Sequence, residues 1–144
     1  MLQKLPISIS DFNTLRIENY LYIDKTSYIH HLLTSGEKYY FLARPRRFGK
    51  SLLVSTLQEV LTGNKALFTG LAIGNSAYDW QPHGVIKLDL SIFDITDTVS
   101  LRSGISIVLI KIIDKYELKI TIDFSNPSIA LQQVIYPTFP RSQF

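Results

Sequence analysis

The residues best suited to chemistry form one stretch, Arg44-Pro45-Arg46-Arg47-Phe48-Gly49-Lys50-Ser51. It fits the phosphate-cradle pattern GxxxxGK[ST] at every slot but the first, where Arg44 stands in place of glycine. Each residue type has a physical task. Gly49 lets the backbone approach phosphate oxygens closely, and the N–H groups of a helix start point at the anion, aided by the helix dipole. Lys50 would reach the β- and γ-phosphates of a nucleotide, and the Ser51 hydroxyl would offer an oxygen to Mg²⁺, a hard cation. Arg44 precedes Pro45 and is pushed towards an extended backbone, which stiffens the start of the loop. Arg46 and Arg47 add charge where a triphosphate would sit; a guanidinium matches phosphate oxygens in two-pronged fashion, so one of them could clamp charge. Taken alone, the string is equally compatible with a solvated basic turn ahead of a helix.

Such a loop must be held between a strand and a helix, and the flanking residues predict both. Residues 38–43, "KYYFLA", are apolar and aromatic on both faces, the pattern of a short strand buried within a sheet. Beyond the loop, Leu52, Leu53, Thr56, Leu57, Val60 and Leu61 recur at helical spacing until Gly63. Upstream, Ile29, Leu32 and Leu33 mark a helical face, with Asp24 or Thr26 as N-cap and Gly36 where a C-cap falls. Residues 63–84 are rich in turn formers and end in "WQPHG", where Trp80 is expected to pack. "VIKLDLS", residues 85–91, reads as a second strand. Residues 98–116 carry Leu101, Ile105, Val108, Leu109, Ile112, Ile113 and Tyr116 at helical spacing. A last helix starts at Pro127, between Asn126 and Ser128, runs through "SIALQQVI" and stops at "YPTFPRSQF". The alternation of the two periodicities predicts an α/β layer fold.

Composition sets the outer limits. With 144 residues, 46% of them hydrophobic, one globular domain is the expectation. The net charge of +3 is unevenly placed: residues 1–72 hold nine Lys/Arg against five Asp/Glu, the remainder six against seven. The absence of cysteine excludes disulfides and thiolate zinc sites, and the cytoplasm is the default compartment. No run approaches the ~18 apolar residues of a membrane span, so no membrane partner is expected. His30 and His31 are adjacent, pointing ~100° apart on a helix, and cannot pinch one metal.

In order along the chain, these segments resemble the bacterial and archaeal AAA-ATPase-like proteins. That family has an N-terminal "LPIGISDF…YYVDKT" segment, then "RPRRFGKS", then an "LDFS" strand. This chain has "LPISISDFNTLRIENYLYIDKTSYI" at 5–29, "YYFLARPRRFGKSLLVSTL" at 39–57, "LFTGLAI" at 67–73 and "VIKLDLS" at 85–91. The likeness runs from Leu5 to Ile135, giving a domain over 1–135 and an irregular tail over 136–144. It implies a P-loop NTPase-type parallel sheet flanked by helices, here in part, that binds ATP with Mg²⁺. It implies Lys50 and Ser51 as the phosphate and metal residues, with arginine at position 44 normal for the family. Tyr22, Asp24, Lys25 and Thr26 match the "YVDKT" segment, which either borders the nucleotide or serves as a capped helix start with Tyr22 packed beside it.

The family's next element, an apolar strand ending in acids of the "LIDEYD" kind, does not occur in this sequence. That strand end is the Walker B element, which holds magnesium and orients the attacking water. The expectation is therefore a chain truncated before it, binding ATP without hydrolysing it alone. Asp89, after "VIKL", is the substitute candidate for magnesium, its plainer reading being a turn acid beside Ser91. Three readings follow. The first is an ATP-binding domain. The second is a non-catalytic remnant whose missing strands leave a surface for a protein partner or a second copy. The third, less favoured, is a nucleic-acid binder gripping backbone phosphates through "RPRR" and Lys50.

Overall fold

The computed structural model describes residues 3–89 and 96–138, with the side chains of 136–138 excepted. The chain forms two compact units, one up to Val85 and one from Ile86.

The first unit is built from three helices and two short 3₁₀ turns. Helix α1, Phe12–Ile17, is capped by Asp11, whose Oδ2 accepts from the N–H and the hydroxyl of Thr14, each at 2.8 Å. Spacing alone does not predict this helix, because six residues present only Phe12 and Leu15 to the interior. Helix α2, Thr26–Thr34, and helix α3, Lys50–Leu61, lie where the periodicity predicts them. Past Ser35, which closes α2, Gly36 adopts φ +77°, the left-handed conformation that a residue after a helix end commonly needs. The 3₁₀ turns are Lys65–Phe68 and Ile73–Asn75.

The core of this unit joins Phe12, Ile29, Val60, Phe68, Leu71 and Ile73. Phe68 stacks on Phe12 with ring centroids 4.8 Å apart and meets Trp80 at 5.1 Å. Trp80 thus packs as its sequence context predicts, although its indole N–H donates to no described residue. Tyr22 meets the edge of Phe12 at 5.2 Å, and burial pushes its phenol up.

The parallel sheet expected from the sequence is not formed. Among the described residues no strand occurs, and the β pairing is an isolated parallel bridge between Lys4 and Tyr20. Residues 38–43 carry no regular secondary structure, and neither do 85–89, while Leu90 and Ser91 lie outside the described residues. The physical reason is that a strand exists only through its neighbours: side-chain pattern disposes a segment to pleat, but the ladder hydrogen bonds must come from a second segment. For residues 38–43 none comes, since their backbone groups make no hydrogen bond with any described residue. The period of two survives in exposure alone: Tyr39 and Phe41 are 92% and 94% exposed, Tyr40 and Leu42 50% and 42%. Tyr40 leans back onto α2, where its hydroxyl donates to the Leu32 carbonyl at 2.6 Å.

The segment 22–26 is fastened to 72–73. Asp24 Oδ1 accepts from the N–H and the hydroxyl of Thr26 at 2.8 and 2.7 Å, and Oδ2 accepts from the N–H of Ala72 at 2.8 Å. Thr26, fully buried, in turn accepts from the N–H of Ile73 at 3.1 Å. Partial burial pushes the Asp24 carboxyl up, but the two Thr26 groups, the Ala72 N–H and the Arg16 guanidinium together hold it below the usual carboxylate range. A carboxyl lowered in the folded state contributes stability above its unfolded pKa, and that contribution is lost as pH falls through the folded value. We therefore expect urea midpoints of the native chain to fall more steeply than those of Asp24→Asn below about pH 4. Parallel curves for the two proteins would refute the Asp24 contribution.

In the second unit, helix α4, Thr98–Lys115, opens on a reciprocal cap. The Ser100 N–H donates to Asp97 Oδ1 at 2.7 Å, and the Asp97 N–H donates to Ser100 Oγ at 3.1 Å. Helix α5, Pro127–Thr138, starts where Asn126 Oδ1 accepts from the Ser128 N–H at 3.0 Å. It continues three residues past Ile135. Val108, Leu109 and Ile112 of α4 pack with Ala130 and Val134 of α5. Among the described residues no helix is long and apolar enough to cross a membrane.

Candidate functional site

The loop 44–49 feeds directly into α3, as the residue pattern requires. Gly49 is the residue before the helix, with φ +73° and ψ +18°. An added Cβ there would meet open space, so glycine is favoured by its backbone angle and not by crowding. Arg47 is also left-handed, at φ +66°, whereas Phe48 between them is not. Alternating left- and right-handed residues turn successive N–H groups to the same side, which makes a concave anion-binding surface. The left-handed angle at Arg47 is one that non-glycine residues seldom adopt.

Lys50 lies in the first turn of α3 and reaches back over the loop. Its ammonium donates to the carbonyl of Arg44 at 2.8 Å and to that of Pro45 at 2.8 Å. The two ends of the stretch are thus joined by one cation, which sits across the mouth of the turn. An ammonium has three donors, and these contacts use two. Ser51, next on the helix, is exposed, as are Arg44, Pro45, Arg46, Arg47, Phe48 and Gly49.

Helix α3 is held in place further along by Ser55 and Val60. Ser55 Oγ accepts from the N–H of Phe12 at 2.9 Å and donates to Asp11 Oδ1 at 3.1 Å. Val60 is fully buried in the first core. The helix start therefore hangs on the core through α1, a tie between residues 43 and 44 positions apart in sequence. Neither this tie nor the Lys50 contacts are visible in residue spacing.

Electrostatically the loop is one-sided. Four cations, Arg44, Arg46, Arg47 and Lys50, stand in a stretch with no acid between Lys38 and Gln58. No carboxylate is sequestered there to compete with an incoming anion. Asp89, the other candidate from the sequence, is exposed and belongs to the second unit. Among the described residues no three His, Cys, Asp or Glu side chains gather as a metal site. His30 instead packs against Tyr78, with ring centroids 6.2 Å apart. Tyr22, Asp24 and Thr26 are engaged in the core and in the clamp on residues 72–73, which favours their structural reading.

The family described as "Predicted AAA-ATPase" matches residues 6–142. The chain belongs to this AAA-ATPase-like family. It is also similar to a protein of Azotobacter chroococcum mcd 1 described as an uncharacterized protein in the vnfD 5′ region. The two are 40% identical over 109 residues, which is 74% of this chain and 21% of that protein. The chain thus spans about a fifth of that relative's length. No solved structure matches it. The family's description supports an ATPase-like reading of the chain at the coarse level.

Proposed function

We propose that this AAA-ATPase-like chain binds ATP with Mg²⁺ through residues 44–51, a phosphate-binding P-loop of the Walker A kind. The observation that carries the reading is the Lys50 ammonium lying across the loop on the Arg44 and Pro45 carbonyls. A lysine placed so has its remaining donor for an anionic oxygen at the loop, whose backbone is left-handed at Arg47 and Gly49, a conformation that favours anion-binding turns of successive N–H groups. The α3 dipole adds roughly half a positive charge at the same point.

Ser51 is the hydroxyl placed to meet magnesium. The fit is to a nucleotide-borne ion, because Mg²⁺ keeps several waters and takes the phosphate oxygens for much of its shell, needing one or two protein oxygens. Asp89 is the second candidate oxygen. Hydrolysis requires, beyond these groups, an acid that orients the attacking water, and the reading is confined to binding.

Calorimetric titration with ATP tests it, in Mg²⁺ and in chelator. We expect magnesium to tighten binding by about tenfold, roughly 1.4 kcal/mol, and Ser51→Ala to lose most of that gain. An unchanged gain would remove Ser51 from the metal; Asp89→Asn, titrated alongside, decides whether Asp89 supplies an oxygen. Binding of oligonucleotides that falls steeply with salt and is indifferent to ATP would instead identify a backbone-phosphate binder.

A further inference from the structure

We infer that Ser55 is a positioning residue for the Ser51 hydroxyl: by tying α3 to Asp11 and Phe12 it fixes the roll of the helix about its axis, and with it the reach of Ser51 to a nucleotide-borne magnesium ion. The inference rests on the nucleotide-binding reading and adds to it a residue outside the loop. Its starting point is where α3 is first held. The buried residues of the helix are Ser55, Thr56, Glu59 and Val60, so none from Lys50 to Val54 is buried. Leu52 and Leu53 touch the core as half-buried apolar groups, contacts without direction that let a helix slide. Ser55 differs from them. Its hydroxyl donates to Asp11 Oδ1 and accepts from the N–H of Phe12, and both bonds leave the helix. The neighbouring Thr56 hydroxyl turns back instead, onto the Leu52 carbonyl of its own helix at 2.8 Å.

Ser51 and Ser55 are four residues apart and so share one face of α3, one turn above the other. Whatever sets the direction of Ser55 therefore sets that of Ser51. A helix with its side chains is roughly 10–12 Å across, so a roll of about 10° carries a side-chain oxygen by about 1 Å and a backbone N–H, nearer the axis, by less than about half of that. Magnesium holds its oxygens at about 2.0–2.1 Å in near-octahedral geometry and tolerates such a displacement poorly. Backbone amides that meet phosphate move less and keep their contact. The tie is also costly to lose: the Phe12 N–H is buried at the start of α1 and Ser55 is its acceptor, so without that hydroxyl α1 must shift to regain a partner.

Ser55→Ala tests it by ATP titration in Mg²⁺ and in chelator. We expect the roughly tenfold gain from magnesium to shrink to about twofold, while affinity for ATP in chelator stays within about threefold of native. Val60→Ala loosens the same helix without touching the tie, and should keep the full gain although urea unfolds it sooner. By the reciprocity of coupled equilibria, magnesium added to the ATP-bound native chain should slow hydrogen exchange at the Phe12 amide about fivefold, a measurement that needs no variant. An undiminished gain in Ser55→Ala, a gain lost equally in Val60→Ala, or an unaltered Phe12 exchange rate would overturn the inference and leave nucleotide binding standing. Failure of the native chain to take up ATP would overturn the nucleotide reading itself, and this inference with it.

Discussion

Lys50→Ala should weaken the binding of magnesium-ATP by about 100-fold or more, with little change in the unfolding of the chain. A charge-assisted hydrogen bond to phosphate contributes roughly 1.5–3 kcal/mol, and the upper end of that range is a factor of about 100. The loss has a second source, because the ammonium also joins the Arg44 and Pro45 carbonyls. Without it the loop must be ordered by the ligand, and the ligand's affinity falls accordingly. Stability changes little, since the two contacts lie at the surface, where a hydrogen bond exchanged for water is worth about 1 kcal/mol. Titration calorimetry supplies the affinity and thermal unfolding the control. A variant that bound ATP within threefold of the native chain would end the proposal of a phosphate cradle at 44–51.

Phe68→Ala carries the largest expected cost to stability, about 3–5 kcal/mol. Phe68 is fully buried between the rings of Phe12 and Trp80. Truncation opens a cavity at the point where α1, the first 3₁₀ turn and the 78–80 segment meet. The neighbouring backbone is poorly placed to close it: a Cβ on Gly74 would lie 2.1 Å from the Phe68 carbonyl oxygen, so the chain is already in contact there. Trp80 is the single tryptophan and touches Phe68, so its fluorescence in a urea titration follows this unit directly. We expect the midpoint to drop by roughly 2 M, taking a slope of about 2 kcal/mol/M. A drop worth less than about 1 kcal/mol would mean that Phe68 does not organise the core.

Among the described residues, α3 and α4 are legible in the sequence because their apolar residues repeat over three or more turns, α2 because Ile29, Leu32 and Leu33 share one face, and α5 because Pro127 marks its start. Leu53, Leu57 and Val60 mark α3 in this way, and Ile105, Val108, Leu109 and Ile112 mark α4. Helix α1 is too short for a repeat, and its signal is a cap, Asp11 with Thr14 three residues on, easily passed over in a stretch of polar residues. The strand reading of 38–43 misleads for a different reason. Tyr39, Tyr40, Phe41 and Leu42 have the composition of a buried strand, but pairing is a property of two segments, and a side-chain pattern specifies only one. The start of α3 is legible too, because its apolar repeat begins just past Gly49, the residue that immediately precedes the helix. What fastens it is invisible at that level: Ser55 finds Phe12 and Asp11, and Asp24 finds Ala72, through contacts more than forty residues long.

The bare aromatic rings of Tyr39 and Phe41 have a practical consequence for any binding measurement. Each could withdraw about 150 Å² of carbon from water, and at roughly 25 cal/mol per Å² the pair leaves some 7 kcal/mol ungained. Any hydrophobic surface, a vessel wall or a detergent micelle among them, competes for that gain. These rings lie only three to five residues ahead of Arg44. Adhesion there would stiffen the approach to the cation cluster, so phosphate affinities from dilute and concentrated solutions will agree only when this segment is equally wetted in both.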